Sequence, residues 1–383
     1  MILNVAIARQ IVERTMNIIH YSVNVMDQHG RIIGSGDPSR LQQRHEGAIL
    51  VLNNNRVVEI DEAMARSLEG VKPGINLPIV FNQQVIGVVG ISGEPALVRN
   101  YGELVKMTAE LIVEQAALMS QIQWNKRHRE ELVLQLIQGS ELNEQQLITI
   151  AERLNLDLTQ PRIAAVVKVL PQPGEYFSLE HLQQLVHLLE YPERDNLVGI
   201  VSVARNEVVV LKPIKLGPDG WSREVEQKRV DKLIRQVARE GSFSICIALG
   251  DYFRGVSGLA QSYQTAKATL EIGALNPVPN QVLFYQDHIV PVLLSGLRDD
   301  AWRHQQLLRP LQMLAQQDPR GQLLKTLRVY FAQNCDLAQT CDQLHIHRNT
   351  LRYRLDKIEK ITSLNFNEID DKTRMYLALC APA

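Results

Sequence analysis

The spacing of apolar residues changes character along this chain, and each change marks a region with its own predicted elements. Residues 1–19 interleave Ile, Val and Ala with Asn4, Arg9, Glu13 and Arg14, a pattern that predicts an amphipathic helix. Two β-patterned runs, YSVNVMD and RIIGSGD, flank the turn QHG, where Gly30 offers the left-handed backbone a tight hairpin needs. A helix is predicted over Pro38–Leu52, followed by strands at Val57–Ile60, Ile75–Val80 and Val85–Ile91. One sheet with helices on one side makes an α+β sensor-like domain.

From Tyr101 to Gln138 the pattern turns helical, with no proline or turn signal after Gly102. Such a helix is about 55 Å long at 1.5 Å per residue. Leu104, Met107, Leu111, Leu118 and Ile122 recur at near-heptad intervals. The seam could pair with its twin in a dimer or pack on its own domain, and the spacing leaves both open.

Strands are then predicted at 162–170, 197–203, 207–213 and 243–249, and helices at 178–190, 222–240 and 256–274. This βαββαβ order fits a ferredoxin-like or cyclase-like domain. After Pro291 the chain reads as helical to its end. The fold class is thus multi-domain α+β, divided as 1–138, 139–290 and 291–383: an N-terminal α/β sensor of PAS-like kind, a ferredoxin-like centre and an all-α end.

Composition narrows the chemistry. The 383 residues are 45% apolar and 22% charged, an ordinary globular balance, and the net charge is −1. Any contact with a polyanion must therefore come from a local patch. Cys246, Cys335, Cys341 and Cys380 are too scattered for a disulfide framework. No signal-peptide pattern or apolar run of about 18 residues occurs, so the reducing cytoplasm is expected.

That local patch lies near the C-terminus. Leu323, Leu327, Tyr330 and Phe331 form a helical apolar stripe, Asn334 breaks it, and Asp336 stands where an N-cap starts the next helix. This second, short helix offers Leu337, Ala338, Cys341 and Leu344 as its buried side, and a tight link through His345 and Ile346 leads to a third helix near His347. There Leu351, Leu355 and Ile358 share one face. Asn349, Arg352, Tyr353 and Lys360 point the other way at 100° per residue, with Arg348 and Arg354 at the boundary. Asn pairs with adenine and Arg with guanine in the major groove, while Tyr353, Lys357 and Lys360 suit phosphates. The expected DNA contacts are His347, Arg348, Asn349, Thr350, Arg352, Tyr353 and Lys357. A charged face on an ordinary bundle helix is the plainer alternative. The short helix, tight link and basic third helix together favour a helix-turn-helix.

The string HIHRNTLRYRL is similar to the C-terminal helix-turn-helix of purine-catabolism and sugar-diacid regulators. Over nearly its whole length the chain resembles the carbohydrate diacid regulator family, through IIGSGDPSR, RHEGA, GINLPI, GVVGISGEP and YGELVKMTAE. The resemblance implies a sugar-diacid recognition domain, a degenerate cyclase-like (GGDEF-like) middle and a DNA-binding output. It implies activation of genes for uptake and breakdown of glucarate, galactarate or glycerate, by a homo-oligomer, as a dimer, acting on a double-stranded operator. Half-sites about 34 Å or a multiple apart follow for a dimer.

A diacid needs cations or backbone amides, and Arg matches a carboxylate with two parallel hydrogen bonds. On the strength of the resemblance, the candidate ligand residues are Ser35, Gly36, Asp37, Arg40, His45, Gly74 and Asn76, with Arg40, Arg44 and His45 placed on the helix after the Gly/Ser turn. Asp37 before Pro38 also reads as a plain N-cap, and Arg44 as a solvated surface charge.

Two rival classes carry less support. A nucleotide cyclase needs metal-holding carboxylates and a glycine-rich turn, whereas VSVARNEVVVL has no glycine and only Glu207. A DNA-free interaction module would keep its binding after Arg348 and Arg352 were neutralised. Cys335, Cys341, His345 and His347 lack a common zinc spacing. No catalytic residue, metal or cofactor is assigned.

Overall fold

The computed structural model describes residues 3–139, 142–171, 174, 178–190, 195–217, 220–241, 243–273 and 278–381. The chain divides into two units, Met1–Arg127 and His128–Ala383.

In the first unit Asn4 caps α1 (Val5–Met16) by accepting from the Ile7 amide at 2.9 Å. The hairpin β1 (Val23–Met26) and β2 (Ile32–Ser35) leads through a 3-10 turn at Pro38–Arg40 to α2 (Glu46–Asn54). Then come β3 (Val58–Ile60), α3 (Glu62–Ala65), β4 (Gly74–Phe81), β5 (Gln84–Ser92) and the 44-residue α4 (Pro95–Gln138). The five strands pair antiparallel in the order β2-β1-β5-β4-β3.

Strand alternation sends side chains to two faces. Val23, Val25, Ile75, Leu77, Ile79, Val89 and Ile91 meet α1 and the buried side of α4. Met26, Ile32 and Val88 meet Ala48 and Val51 of α2 on the other. Helices therefore cover both faces, which corrects the one-sided layer expected from sequence. The helix expected over Pro38–Leu52 is also corrected. Leu41 is extended (ψ 141°) and Gln42 left-handed (φ 66°), so the turn after Arg40 cannot continue as a helix. Arg44 then bridges to Arg31, and α2 starts only at Glu46. Pro95 begins α4 six residues before the expected Tyr101, and Gly102 sits within it because a Cβ there would come within 3.1 Å of Leu77.

Gly34 is a close-approach position, since a Cβ would lie 2.8 Å from the Ala8 carbonyl oxygen of α1. Gly34→Ala is expected to cost about 1–3 kcal/mol through displacement of α1, read as a lower melting temperature.

The second unit takes in the end of α4 and α5 (Glu144–Arg153), then β6 (Arg162–Pro171), α6 (Leu179–Leu189), β7 (Leu197–Ser202) and β8 (Glu207–Pro213). A small hairpin, β9 (Leu216–Gly217) and β10 (Gly220–Trp221), precedes α7 (Arg223–Glu240), β11 (Phe243–Leu249), α8 (Gly258–Gly273), β12 (Val282–Phe284) and α9 (Ile289–Ser295). The sheet order is β12-β11-β6-β8-β7, with only β12 parallel to its neighbour. The βαββαβ order expected from sequence is present; β9, β10 and β12 add to it, and expected position 274 lies outside the described residues. After α9 come α10 (Ala301–Gln317), α11 (Gln322–Ala332), α12 (Leu337–Leu344), α13 (Arg348–Thr362) and α14 (Ile369–Cys380). These five helices enclose a core of Leu314, Leu327, Tyr330, Leu351, Ile358 and Met375.

Candidate functional site

Asp336 starts α12 by accepting from the Gln339 amide at 2.8 Å, as its position in the sequence suggested. Eight residues later His345 takes a left-handed turn (φ 53°) and closes the helix. Leu337, Cys341 and Leu344 are half-buried against α13, but Ala338 is exposed and Thr340 takes the fully buried place. The Thr340 hydroxyl bonds back to the Asp336 carbonyl, which lets a polar side chain occupy that site.

His347 caps α13, its Nδ1 accepting from the Asn349 amide at 3.2 Å. Leu351, Leu355, Ile358 and Ile361 are buried below. His347, Arg348, Asn349, Thr350, Arg352, Tyr353, Lys357 and Lys360 are all exposed, Tyr353 by 68%. Arg354 differs: its Nη1 donates to Thr326 Oγ1 at 3.1 Å and ties α13 to α11. Glu359 is turned inward to accept from the Phe366 amide, leaving Asp356 as the carboxylate among the outward cations. The exposed face thus offers an amide, two guanidiniums, a phenol and two ammoniums from a helix whose start is open, a chemistry suited to base edges and phosphates. Among the described residues, Cys335, Cys341, His345 and His347 are not gathered as a metal-holding group.

In the first unit, strand register builds a polar row across the α2 face of the sheet. Ser35 pairs with Asn24, Asn24 with Gly90, and Gly90 with Asn76. Asn24 and Asn76 are 2% and 3% exposed, and the Ser35 hydroxyl donates to Asn24 Oδ1 at 2.6 Å. The Asn76 carboxamide makes no side-chain hydrogen bond to a described residue, and its polar atoms are not fully sealed from solvent. It occupies space left by two glycines: a Cβ at Gly90 would lie 2.6 Å from its Oδ1, and one at Gly47 3.3 Å from its Nδ2. The His45 ring borders the same point, 3.0 Å from that Gly47 position.

Arg40 is 6% exposed, and its Nη2 donates to the Gly70 carbonyl at 2.6 Å. It forms no ion pair with a described residue: the Asp37 carboxylate is held instead by the Ser39 amide and hydroxyl, which with that hydroxyl foremost keep its pKa below the usual value. Burial works against the Arg40 charge and Asp37 supports it. A buried guanidinium with one neutral acceptor is a strong local demand for an anion.

The other candidates divide. Ser35 belongs to the polar row, and His45 is buried at its edge as the N-cap of α2. Asp37 is the N-cap of the Pro38 turn, Gly36 is exposed, and Arg44 is exposed in extended backbone. Gly74 is required by crowding, because a Cβ would meet the Ile91 carbonyl oxygen at 2.0 Å. Sequence reading missed Asn24 and Gly90. The alternation Val23-Asn24-Val25 held the signal, since it turns Asn24 away from its apolar neighbours.

His45 Nδ1 accepts from the Ala48 amide at 3.1 Å, so the ring is held neutral with its proton on Nε2. Burial first, and then the Arg40 charge, push its pKa from 6.5 down to about 4. The unfolded chain takes up this proton first on acidification. The stability tied to the neutral ring is complete above about pH 6.5 and is lost as pH falls towards 4, about 3 kcal/mol in all. His45→Asn, which puts a capping oxygen in place of Nδ1, is expected to flatten this part of a melting-temperature profile between pH 7 and 4.

A separate groove of about 1160 Å³ lies beside α3 and the start of α4, lined by Glu59, Asp61, Glu62 and Glu94 against Lys72 and Arg99. Its four carboxylates make it a poor place for a dianion, and Arg40, His45 and Asn76 are not among its walls. In the second unit the turn between β7 and β8 places Asn206 in a left-handed conformation (φ 61°) and buries Glu207, whose pKa burial raises. That is hairpin geometry without a phosphate cradle.

Three family models match the chain: sugar diacid recognition over 3–136, a GGDEF-like domain over 138–272, and the PucR C-terminal helix-turn-helix domain over 323–381. The carbohydrate diacid regulator of Escherichia coli strain K12 is 46% identical over 378 residues, covering 98% of this chain and 97% of that protein. An uncharacterized protein of Haemophilus influenzae is 43% identical over 97% of this chain and 96% of its own length. Among solved structures, a regulator of polyketide synthase expression from Bifidobacterium adolescentis covers 66% of this chain and 96% of its own, at 17% identity and a TM-score of 0.32.

Proposed function

The chain belongs to the carbohydrate diacid regulator family of helix-turn-helix transcription regulators, and from that premise we propose that it activates genes for sugar-diacid uptake and breakdown when glucarate, galactarate or glycerate occupies its N-terminal domain. The observation that carries the sensor reading is Arg40, buried without an ion-pair partner among the described residues and near His45, whose ring borders the Asn76 carboxamide. Arg40 would hold a carboxylate, while Asn24, Asn76, Ser35 and the Nε2–H of His45 would meet hydroxyls. The sheet order β2-β1-β5-β4-β3 supports a PAS-like sensor over residues 1–138. The order β11-β6-β8-β7 supports a ferredoxin-like domain over 139–290, read as catalytically inactive from its glycine-free β7–β8 turn, and the DNA-binding domain is assigned to 291–383.

The regulator acts in the cytoplasm as a homodimer, with His347, Arg348, Asn349, Thr350, Arg352, Tyr353 and Lys357 of each copy addressing one half-site. Calorimetric titration with glucarate, galactarate and glycerate, against citrate and a neutral sugar, tests the sensor. Selective binding of one of the three acids is expected. Failure of all three to bind would remove the effector assignment and leave the DNA-binding role in place.

A further inference from the structure

Leucine recurs at every seventh position of α4, as Leu97, Leu104, Leu111 and Leu118, and each is 56–59% exposed. Tyr101, Met107 and Ile122 flank this line and are 39%, 53% and 52% exposed. Val98, Val105, Ala109, Ile112 and Val113 on the other side of the same helix are buried in the core of the first unit. A surface helix normally turns charge outward, so a helix apolar on two sides has a second face that needs cover.

We propose that this stripe is the dimer interface, in which α4 pairs with α4 of a second copy as a parallel, in-register coiled coil. The inference rests on the reading of the chain as a homodimeric regulator and names the surface that makes it one. Period and length select the occupant. From Leu97 to Ile122 the stripe runs about 37 Å, and a seven-residue repeat is matched by a helix with the same repeat. The next longest described helix, α7, has 18 residues and spans about 27 Å, so the helix that fits is another α4.

Direction follows from the far end. An antiparallel pair that set Leu97 on Leu118 and Leu104 on Leu111 would bring Ile122 opposite position 93, ahead of the helix start at Pro95. With the leucines at one core position of the repeat, parallel pairing sets Tyr101, Thr108, Gln115 and Ile122 against their own copies at the other. In that register Glu103, Glu110 and Glu114 lie outside the two core positions, so no pair of acids meets in the core.

The test is the mass of the full-length chain in solution by sedimentation and light scattering. Wild type is expected to be a dimer and Leu104→Glu/Leu111→Glu a monomer, with dimer affinity lowered at least about 100-fold. Both side chains are exposed, so an unchanged circular dichroism spectrum is expected of the variant. A folded variant that keeps the wild-type mass would overturn this interface and leave a homodimeric regulator standing; a wild type monomeric at every concentration would overturn both. Oxidation of Leu111→Cys is expected to give a covalent dimer beyond that of wild type. Its absence in a dimeric protein would overturn the in-register pairing.

Discussion

Replacing Asn349 and Arg352 together with alanine lowers affinity for a selected operator by about 30-fold to 10⁴-fold, and leaves binding to scrambled DNA much less affected. The range is the sum of two base contacts worth about 1–3 kcal/mol each. Both side chains are exposed, with the buried leucines of α13 behind them, so the double variant is expected to melt with wild type. Fluorescence anisotropy on an operator enriched from random sequence, beside a scrambled duplex, supplies both numbers. An equal loss on the two duplexes would show that these residues hold phosphates and that the base readers lie elsewhere.

Two neighbours on the same helix sharpen the reading. Lys357, exposed one turn further along, suits a phosphate. Its removal should weaken both duplexes alike and reduce the salt dependence by about one unit. Arg354 is committed to Thr326 inside the fold, so Arg354→Ala should lower the melting temperature before it alters sequence preference. On this proposal three basic residues within six positions separate into reader, anchor and internal tie, while the Arg354 bond to Thr326 is the part the structure shows.

The helix-turn-helix was legible in the sequence because its rules are local. A capping Asp336, a link through His345 and a leucine phase on α13 depend on residues close together in the chain. The four longer strands of the second unit, β6, β7, β8 and β11, were legible for the same reason, since β-branched runs mark themselves, whereas the two- and three-residue β9, β10 and β12 were not. The polar row was not. Ser35, Asn24, Gly90 and Asn76 come from four strands, and only their pairing register, set by the whole sheet, brings them into line. The Pro38–Leu52 error has a related cause: the polar run GlnGlnArg satisfies helical propensity, but its backbone is claimed by Ile32, which bonds to both Gln42 and Gln43. The α4 stripe was visible as a period, while its exposure could be known only once the opposite face had found its sheet.

Arg40→Met abolishes effector binding, by about 10²-fold to 10⁴-fold, while the folded chain becomes no less stable. A carboxylate held by a guanidinium fork gains two charge-assisted hydrogen bonds of about 1.5–3 kcal/mol each, and methionine offers neither. The stability term has the opposite sign. In the free protein the guanidinium is buried against one carbonyl, Gly70, with no ion pair to offset its lost hydration. Methionine fills similar space without that charge, and an apolar substitute for a buried ion is often neutral or stabilising. A residue kept only for structure should show the reverse pattern. Its loss would free the Gly70 loop, lower the melting temperature and leave calorimetric binding intact. Measured on the same preparations, an affinity loss without a stability loss assigns Arg40 to the ligand. It would also mean that the unliganded domain holds a buried charge without an ion-pair partner among the described residues, so that the effector's carboxylate adds to the stability of the face of the sheet opposite α4.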